Sequence, residues 1–248
     1  MRNNKQGSVV FAAIICIISS AILASLWASW KPRFEENKEN DRKKNVLAAF
    51  GQENPSKDAI GKFFSENIRE IFVNIDGSVN EMTRADYELL TKANRKISDK
   101  KERDAAKAKA PLPLYVWSEG GKDIMYGFPM SGMGLWSIVH SYVALQSDLE
   151  TIKGITFYGH EETPGLGGEC SKPWFMNNFK NKRLYENSDP VSFKVVKGKV
   201  DDLYPEGHEL NDNAVDGMSG ATITGNGIMN FINEYIKKYD AYFDSLKG

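Results

Sequence analysis

The sequence predicts an α+β fold: a single N-terminal transmembrane helix followed by a mostly antiparallel sheet with helices packed mainly on one side of it. Three observations carry this expectation. Ser8 to Trp30 reads SVVFAAIICIISSAILASLWASW and holds no charged residue. Between Leu112 and Val200, five short runs rich in β-branched and aromatic residues are separated by turn residues. Near the C-terminus, Ile228, Phe231, Ile232, Tyr235, Ile236, Tyr239 and Phe243 fall on one face of a helix. With 248 residues, 41% of them hydrophobic and 26% charged, the chain has material for one globular body with an appendage.

The elements follow in order. Residues 1–7 form a short cytoplasmic N-terminus and residues 8–30 the membrane helix. A bilayer core takes about 20 apolar residues in a helix, and Trp27 and Trp30 suit its interface with the headgroups. The alternative is a cleaved signal peptide. Against it, the apolar run is long for such a segment, and tryptophans occupy the place of small cleavage-site residues. Arg2 and Lys5 before the helix, against Lys31 and Arg33 after it, lean slightly towards an inside N-terminus. The expected partner of this segment is membrane lipid.

Residues 31–110 read as a helical or mixed region. RFEENKENDRKKNVLAAFG continues the helix with an apolar edge of Val46, Leu47 and Phe50, and Gly51 with QENPS stops it. Residues 60–75 read either as a helix or as a helix followed by a strand. Residues 92–109 hold eight basic and three acidic side chains. Such a segment either meets anionic lipid or a partner, or is simply solvated; the solvated reading is taken. Residues 111–248 form the core of the body. LPLYVWS, DIMYGFPM, SIVHSYVALQ, GITFYGHEE and SFKVVKGKV are its strands, and KPWFMNNFKNKRL is a short helix that Lys172 and Pro173 open.

Several functions are excluded. A net charge of −1 argues against nucleic-acid binding. Cys16 and Cys170 are the only cysteines, without a Cys-x-x-Cys pair, so the chain alone builds neither a disulfide framework nor an iron–sulfur or zinc centre. His140, His160 and His208 stand apart, and no metal site is expected. The membrane helix has no ionisable residue to make an ion or quinone site, and no dinucleotide fingerprint is present.

Residues 216–224, DGMSGATIT, lead into the C-terminal helix. The first turn of a helix exposes N–H groups and partial positive charge. Gly220, Ala221 and Gly225 keep bulk off the backbone, and Ser219, Thr222 and Thr224 add hydroxyls, which together suit a phosphate. The other reading is an ordinary helix start capped by Thr or Asn. In GMGLWS (132–137), Leu135 and Trp136 are flanked by glycine; Trp136 is either a core residue or a face for a flat ligand. In HEETPGLGG (160–168), Thr163-Pro164-Gly165 fits a type II turn that brings Glu162, Thr163, Leu166 and Gly167 towards one spot. A plain strand-to-helix loop is the alternative.

DGMSGATIT also matches the pattern Asp-x-x-Ser/Thr-Gly-Ala-Ser/Thr-x-Thr of flavinylated membrane proteins at all six of its specified positions. With GMGLWS and HEETPGLGG in the same order, nearly the whole chain resembles the NqrC family, the C component of the sodium-translocating NADH:quinone oxidoreductase. The resemblance implies FMN bound covalently through a phosphoester to Thr224. A separate flavin transferase supplies metal and base, and Asp216 belongs to what it reads. The implied cofactor-binding set is Thr224, Thr222, Ala221, Gly220, Ser219, Asp216, Leu135, Trp136, Glu162, Thr163, Leu166 and Gly167, with no catalytic residue of the chain's own. The resemblance further implies an assembly of six different proteins in the bacterial inner membrane, with this soluble domain on the periplasmic side. There, electrons from NADH reach quinone and sodium is expelled. Three other readings stand beside it: the G component of the related ferredoxin:NAD oxidoreductase, an extracytoplasmic flavin-binding sensor, and an assembly or anchoring protein with an empty site.

Overall fold

One helix, α1 (Asn3–Ala49), carries the apolar run and the charged stretch after it, with Pro32 inside. In this computed structural model the described residues are 3–52, 56–205 and 207–247. Residues 53–55 of the expected QENPS stop (52–56) lie outside them, as do Arg2 and the Lys5 side chain. The most apolar 18-residue window of α1 has a mean hydropathy of 2.7, and by length and composition the helix suffices to cross a membrane. The chain forms two compact units, Met1–Arg42 and Lys43–Gly248.

In the second unit α2 (Lys57–Asn67) passes directly into β1 (Ile68–Val73), so residues 60–75 are a helix followed by a strand. The β-branched, aromatic sequence IREIFV favours extended backbone once α2 has ended at Asn67. A short β2 (Val79–Asn80) precedes α3 (Arg84–Arg95) and α4 (Lys100–Lys109). Thr83 and Asp86 form a capping box at the start of α3. The basic segment therefore comprises the end of α3 and all of α4, and α4 buries no side chain.

Next come β3 (Leu112–Glu119), β4 (Lys122–Met133), β5 (Ile138–Leu145) and β6 (Ile152–Tyr158). A 3-10 turn at Gly167–Ser171 leads to α5 (Pro173–Asn177), with Pro173 in its first turn. Then follow β7 (Tyr185–Glu186), β8 (Asp189–Pro190), β9 (Lys194–Val195), α6 (Val200–Leu203), β10 (Ala214–Val215) and α7 (Thr222–Lys247).

The main sheet has the order β2-β1-β3-β4-β5-β6, with every neighbouring pair antiparallel. Its alternation separates two cores. Leu114, Val116, Phe128, Met130 and Val143 face α7, whose Ile228, Phe231, Ile232, Ile236, Tyr239 and Phe243 are buried against them. Each such side chain contributes about 1.5–3 kcal/mol by leaving water. Tyr115, Trp117, Tyr142 and Ala144 face the other way, onto Val46, Leu47 and Phe50 from the end of α1 and Ile60 and Phe64 from α2. Helices thus cover both faces of the sheet, which corrects the expectation of one main side. Gly127 makes the room: a Cβ there would lie 2.8 Å from Phe50 Cζ.

The run SFKVVKGKV is not a strand of this sheet. Only Lys194–Val195 is extended, and it pairs in parallel with Ala214–Val215 in a separate two-stranded ladder. The chain then turns at Gly198, with φ +95°, into α6.

Candidate functional site

The site forms where α7 begins. Gly220, at φ +69°, turns the chain into the helix, and a side chain there would also strike Leu166 Cδ2 at 2.8 Å. Thr222 opens α7, and Thr224, two residues further, is only 1% exposed. Its hydroxyl donates to Glu162 Oε2 at 2.7 Å. That carboxylate also accepts three backbone N–H groups, from Leu135 at 3.2 Å, Trp136 at 2.9 Å and Ser137 at 3.1 Å. Burial opposes the charge on Glu162, but the bonds from Thr224 and the three amides outweigh it and hold the carboxyl below the usual glutamate range. Space around the pair is tight. A Cβ on Gly134 would come within 2.6 Å of Glu162 Oε1, and one on Gly167 within 2.6 Å of both Glu162 Oε2 and Thr224 Oγ1.

The 163–166 segment folds as expected of a type II turn: Leu166 N–H donates to Thr163 O at 3.1 Å, and Gly165 has φ +77°. This consumes the Leu166 amide, and Gly168 N–H also donates to Thr163 O, at 3.0 Å. Leu166 therefore offers its side chain, not its N–H, to anything that binds. Thr163 lies at the surface.

Beside this cluster lies a groove of about 700 Å³. Asp216, Ser219, Gly220, Ala221 and Thr222 line it, whereas Thr224, Glu162, Leu135, Trp136, Thr163, Leu166 and Gly167 do not. The twelve sequence-selected residues thus fall into two groups, which meet where Leu166 sits over Gly220. Asp216 holds the local backbone together. Its Oδ1 accepts the Val200 N–H at 2.7 Å and caps α6. Gly217 completes the same contact, donating to Gly198 O at 2.8 Å.

Trp136 is 67% exposed, which excludes the core reading for it. Leu135, Leu166, Ile223 and Trp174 are also exposed. Sequence reasoning misses Lys197, Lys199, Trp174 and Asn226 as groove residues. Two lysines around a glycine in the run VKGKV are the available signal, and the strand expectation for that run hides it. Burial and the charge of Glu162 push the Cys170 thiol up to about 12, so it stays protonated and unreactive. Among the described residues no three His, Cys, Asp or Glu are grouped to hold a metal ion.

The arrangement can seat an anion. The first turn of a 26-residue helix supplies partial positive charge, Lys197 and Lys199 add full charges, and small residues keep the backbone accessible. Comparison with known proteins agrees. An FMN-binding domain model matches residues 134–237, which includes all three motifs save the first two residues of GMGLWS. The C component of the Na(+)-translocating NADH-quinone reductase of Haemophilus ducreyi is 31% identical, over 92% of this chain and 88% of that one. Its counterpart from Neisseria meningitidis serogroup A is 30% identical, over 100% and 96%. Among solved structures, the same component from Parabacteroides distasonis superposes with a TM-score of 0.67 at 28% identity, covering 86% of this chain and 96% of that one. NqrC of Shewanella oneidensis gives 0.69 at 26% identity, covering 85% and 99%.

Proposed function

The chain belongs to the NqrC family, the C components of the Na(+)-translocating NADH-quinone reductases, and from that premise we propose that its FMN is esterified to Thr224 and relays electrons for the complex outside the cytoplasm. Membership sets aside the readings as the G component of the ferredoxin enzyme or as a sensor. The observation that carries the proposal is the hydroxyl of Thr224, held in the first turn of α7 beside a groove of about 700 Å³. That volume lies within the range of about 300–1,000 Å³ usual for small-molecule sites.

The residues present fit the group. Ser219, Gly220, Ala221 and Thr222 would hold the phosphate with hydroxyls and unobstructed backbone, and Lys197 and Lys199 would balance its charge. Leu135, Trp136 and Leu166, all exposed, would offer apolar contact to the ring system, with Thr163 at its edge. Glu162 and Gly167 would hold the Thr224 hydroxyl in place until it is esterified. When bound, FMN supplies one- and two-electron transfer; the protein supplies position and electrostatics. Asp216 would serve maturation indirectly, by fixing the Lys197–Lys199 segment that a flavin transferase meets. The apolar part of α1 would anchor the protein in lipid, with residues 43–248 on the periplasmic side of the bacterial inner membrane.

The test is direct. Full-length protein made together with a flavin transferase is expected to stay yellow and fluorescent on a denaturing gel. The peptide spanning residues 213–237 should gain the mass of an FMN ester. Thr224→Ala should lose both signals. A colourless native protein, or a Thr224→Ala chain that keeps denaturation-resistant flavin, overturns the assignment. Protease added to intact spheroplasts should cleave the body if it lies outside the cytoplasm.

A further inference from the structure

The carboxylate of Glu162 bonds to the linkage threonine on one side and to the backbone of residues 135–137 on the other. From this geometry we propose that Glu162 is a positioning residue that registers the chemical state of Thr224. It ties the Leu135–Ser137 loop to Thr224 while that residue is a free alcohol, and lets the loop go once the oxygen is esterified. The inference rests on the reading of Thr224 as the linkage site.

Esterification removes what Glu162 holds. In that step the Thr224 O–H bond breaks and an O–P bond forms to the flavin-side phosphorus of a flavin dinucleotide. The phosphoric anhydride bond breaks, adenosine monophosphate leaves with the bonding pair, and the hydroxyl proton passes to the base of the transferase. No electrons are transferred. The product oxygen has no hydrogen to donate. At the 2.7 Å separation of the present contact, its lone pairs face those of Glu162 Oε2, and a phosphodiester charge is added close to a carboxylate.

Glu162 has little room to retreat alone. A Cβ on Gly134 or on Gly167 would lie only 2.6 Å from one or other of its two oxygens, so the backbone already closes round it on both sides. Three amide donors favour its ionised form over protonation. Relief therefore comes through the loop. Trp136, exposed on that loop, moves with it, so its position changes once Thr224 carries a flavin.

Hydrogen exchange read by mass spectrometry on the full chain in detergent tests this. The peptide covering residues 134–138 is compared in unmodified protein, in protein esterified by the transferase, and in unmodified Thr224→Val. The amides of residues 135–137 are expected to exchange about tenfold faster in the second and third samples than in the first, the loss that follows from breaking charge-assisted hydrogen bonds. Glu162→Gln should abolish the difference between modified and unmodified chains. Equal exchange in the unmodified and esterified proteins overturns the proposal, and that comparison needs no variant to fold. The mass of the 213–237 peptide is read from the same samples. If it shows no flavin, the linkage reading fails by itself, and Thr224→Val against the unmodified chain still decides whether the hydroxyl holds the loop.

Discussion

Glu162 and the glycines around it account for most of what single residues do at this site. Because its carboxyl sits below the ordinary range in the folded protein, Glu162 contributes stability above the unfolded glutamate pKa of about 4.3, and that contribution is lost as pH falls through the depressed folded value. Wild type should therefore be more stable than Glu162→Gln near pH 7, and the gap should narrow in acid. Urea denaturation of both chains across that range measures it; a gap that widens on acidification contradicts the assigned charge. Gly167→Ala makes a second prediction. The new methyl meets Glu162 Oε2 and Thr224 Oγ1 at 2.6 Å and Glu162 Cβ at 3.1 Å, so the pair must separate. A loss of about 1–3 kcal/mol is expected, together with less covalent flavin on the gel. The nine letters of DGMSGATIT single out Thr224 as the proposed linkage site from the sequence alone. Its partner is not legible as such: Glu162 lies 62 positions away, and only the fold brings the two together.

Among the elements, α7 matters most because it builds a core face and the site with the same helix. Its first turns press on the end of β4: a Cβ at Gly227 would lie 2.1 Å from Met133 O, backbone that cannot swing aside. Gly227→Ala should push the helix start off the sheet, cost about 3 kcal/mol, and weaken flavin attachment more than a change at the far end of α7 would. Chemical denaturation and gel fluorescence read the two effects. The apolar face of α7 is plain in the sequence because it repeats at the helical period. Helix α3 escapes the sequence reading although Thr83 and Asp86, three apart, carry the capping signature. The apolar run LYVW in β3 has no polar alternation, the mark of a strand buried on both sides. That run is the signal for two-sided packing that the expectation of one main side passes over. The strand expectation for SFKVVKGKV fails because local β-propensity says nothing about which ladder a segment joins.

Taken whole, the second unit depends on a segment that the sequence makes look like a mere extension of the apolar N-terminal helix. Val46, Leu47, Ala49 and Phe50 are each no more than 1% exposed, and they close the sheet face that α7 does not cover. Phe50 meets Trp117 edge-on, with centroids 5.6 Å apart, over the space Gly127 leaves open. Burying Val46, Leu47 and Phe50 contributes about 1.5–3 kcal/mol each. Their sum is comparable to the whole stability of a domain, about 5–15 kcal/mol. Two truncations separated by only nine residues should therefore behave in opposite ways. A chain of residues 43–248 keeps both cores and should unfold in one cooperative transition, as a soluble protein. A chain of residues 52–248 keeps every motif of the flavin site but exposes Tyr115, Trp117 and Tyr142 to water. It should aggregate or melt without a sharp transition. Calorimetry and size-exclusion chromatography of the two chains distinguish these outcomes. If the shorter one proves equally stable, the second core contributes nothing to holding the sheet, and the flavin site is supported by the α7 side alone.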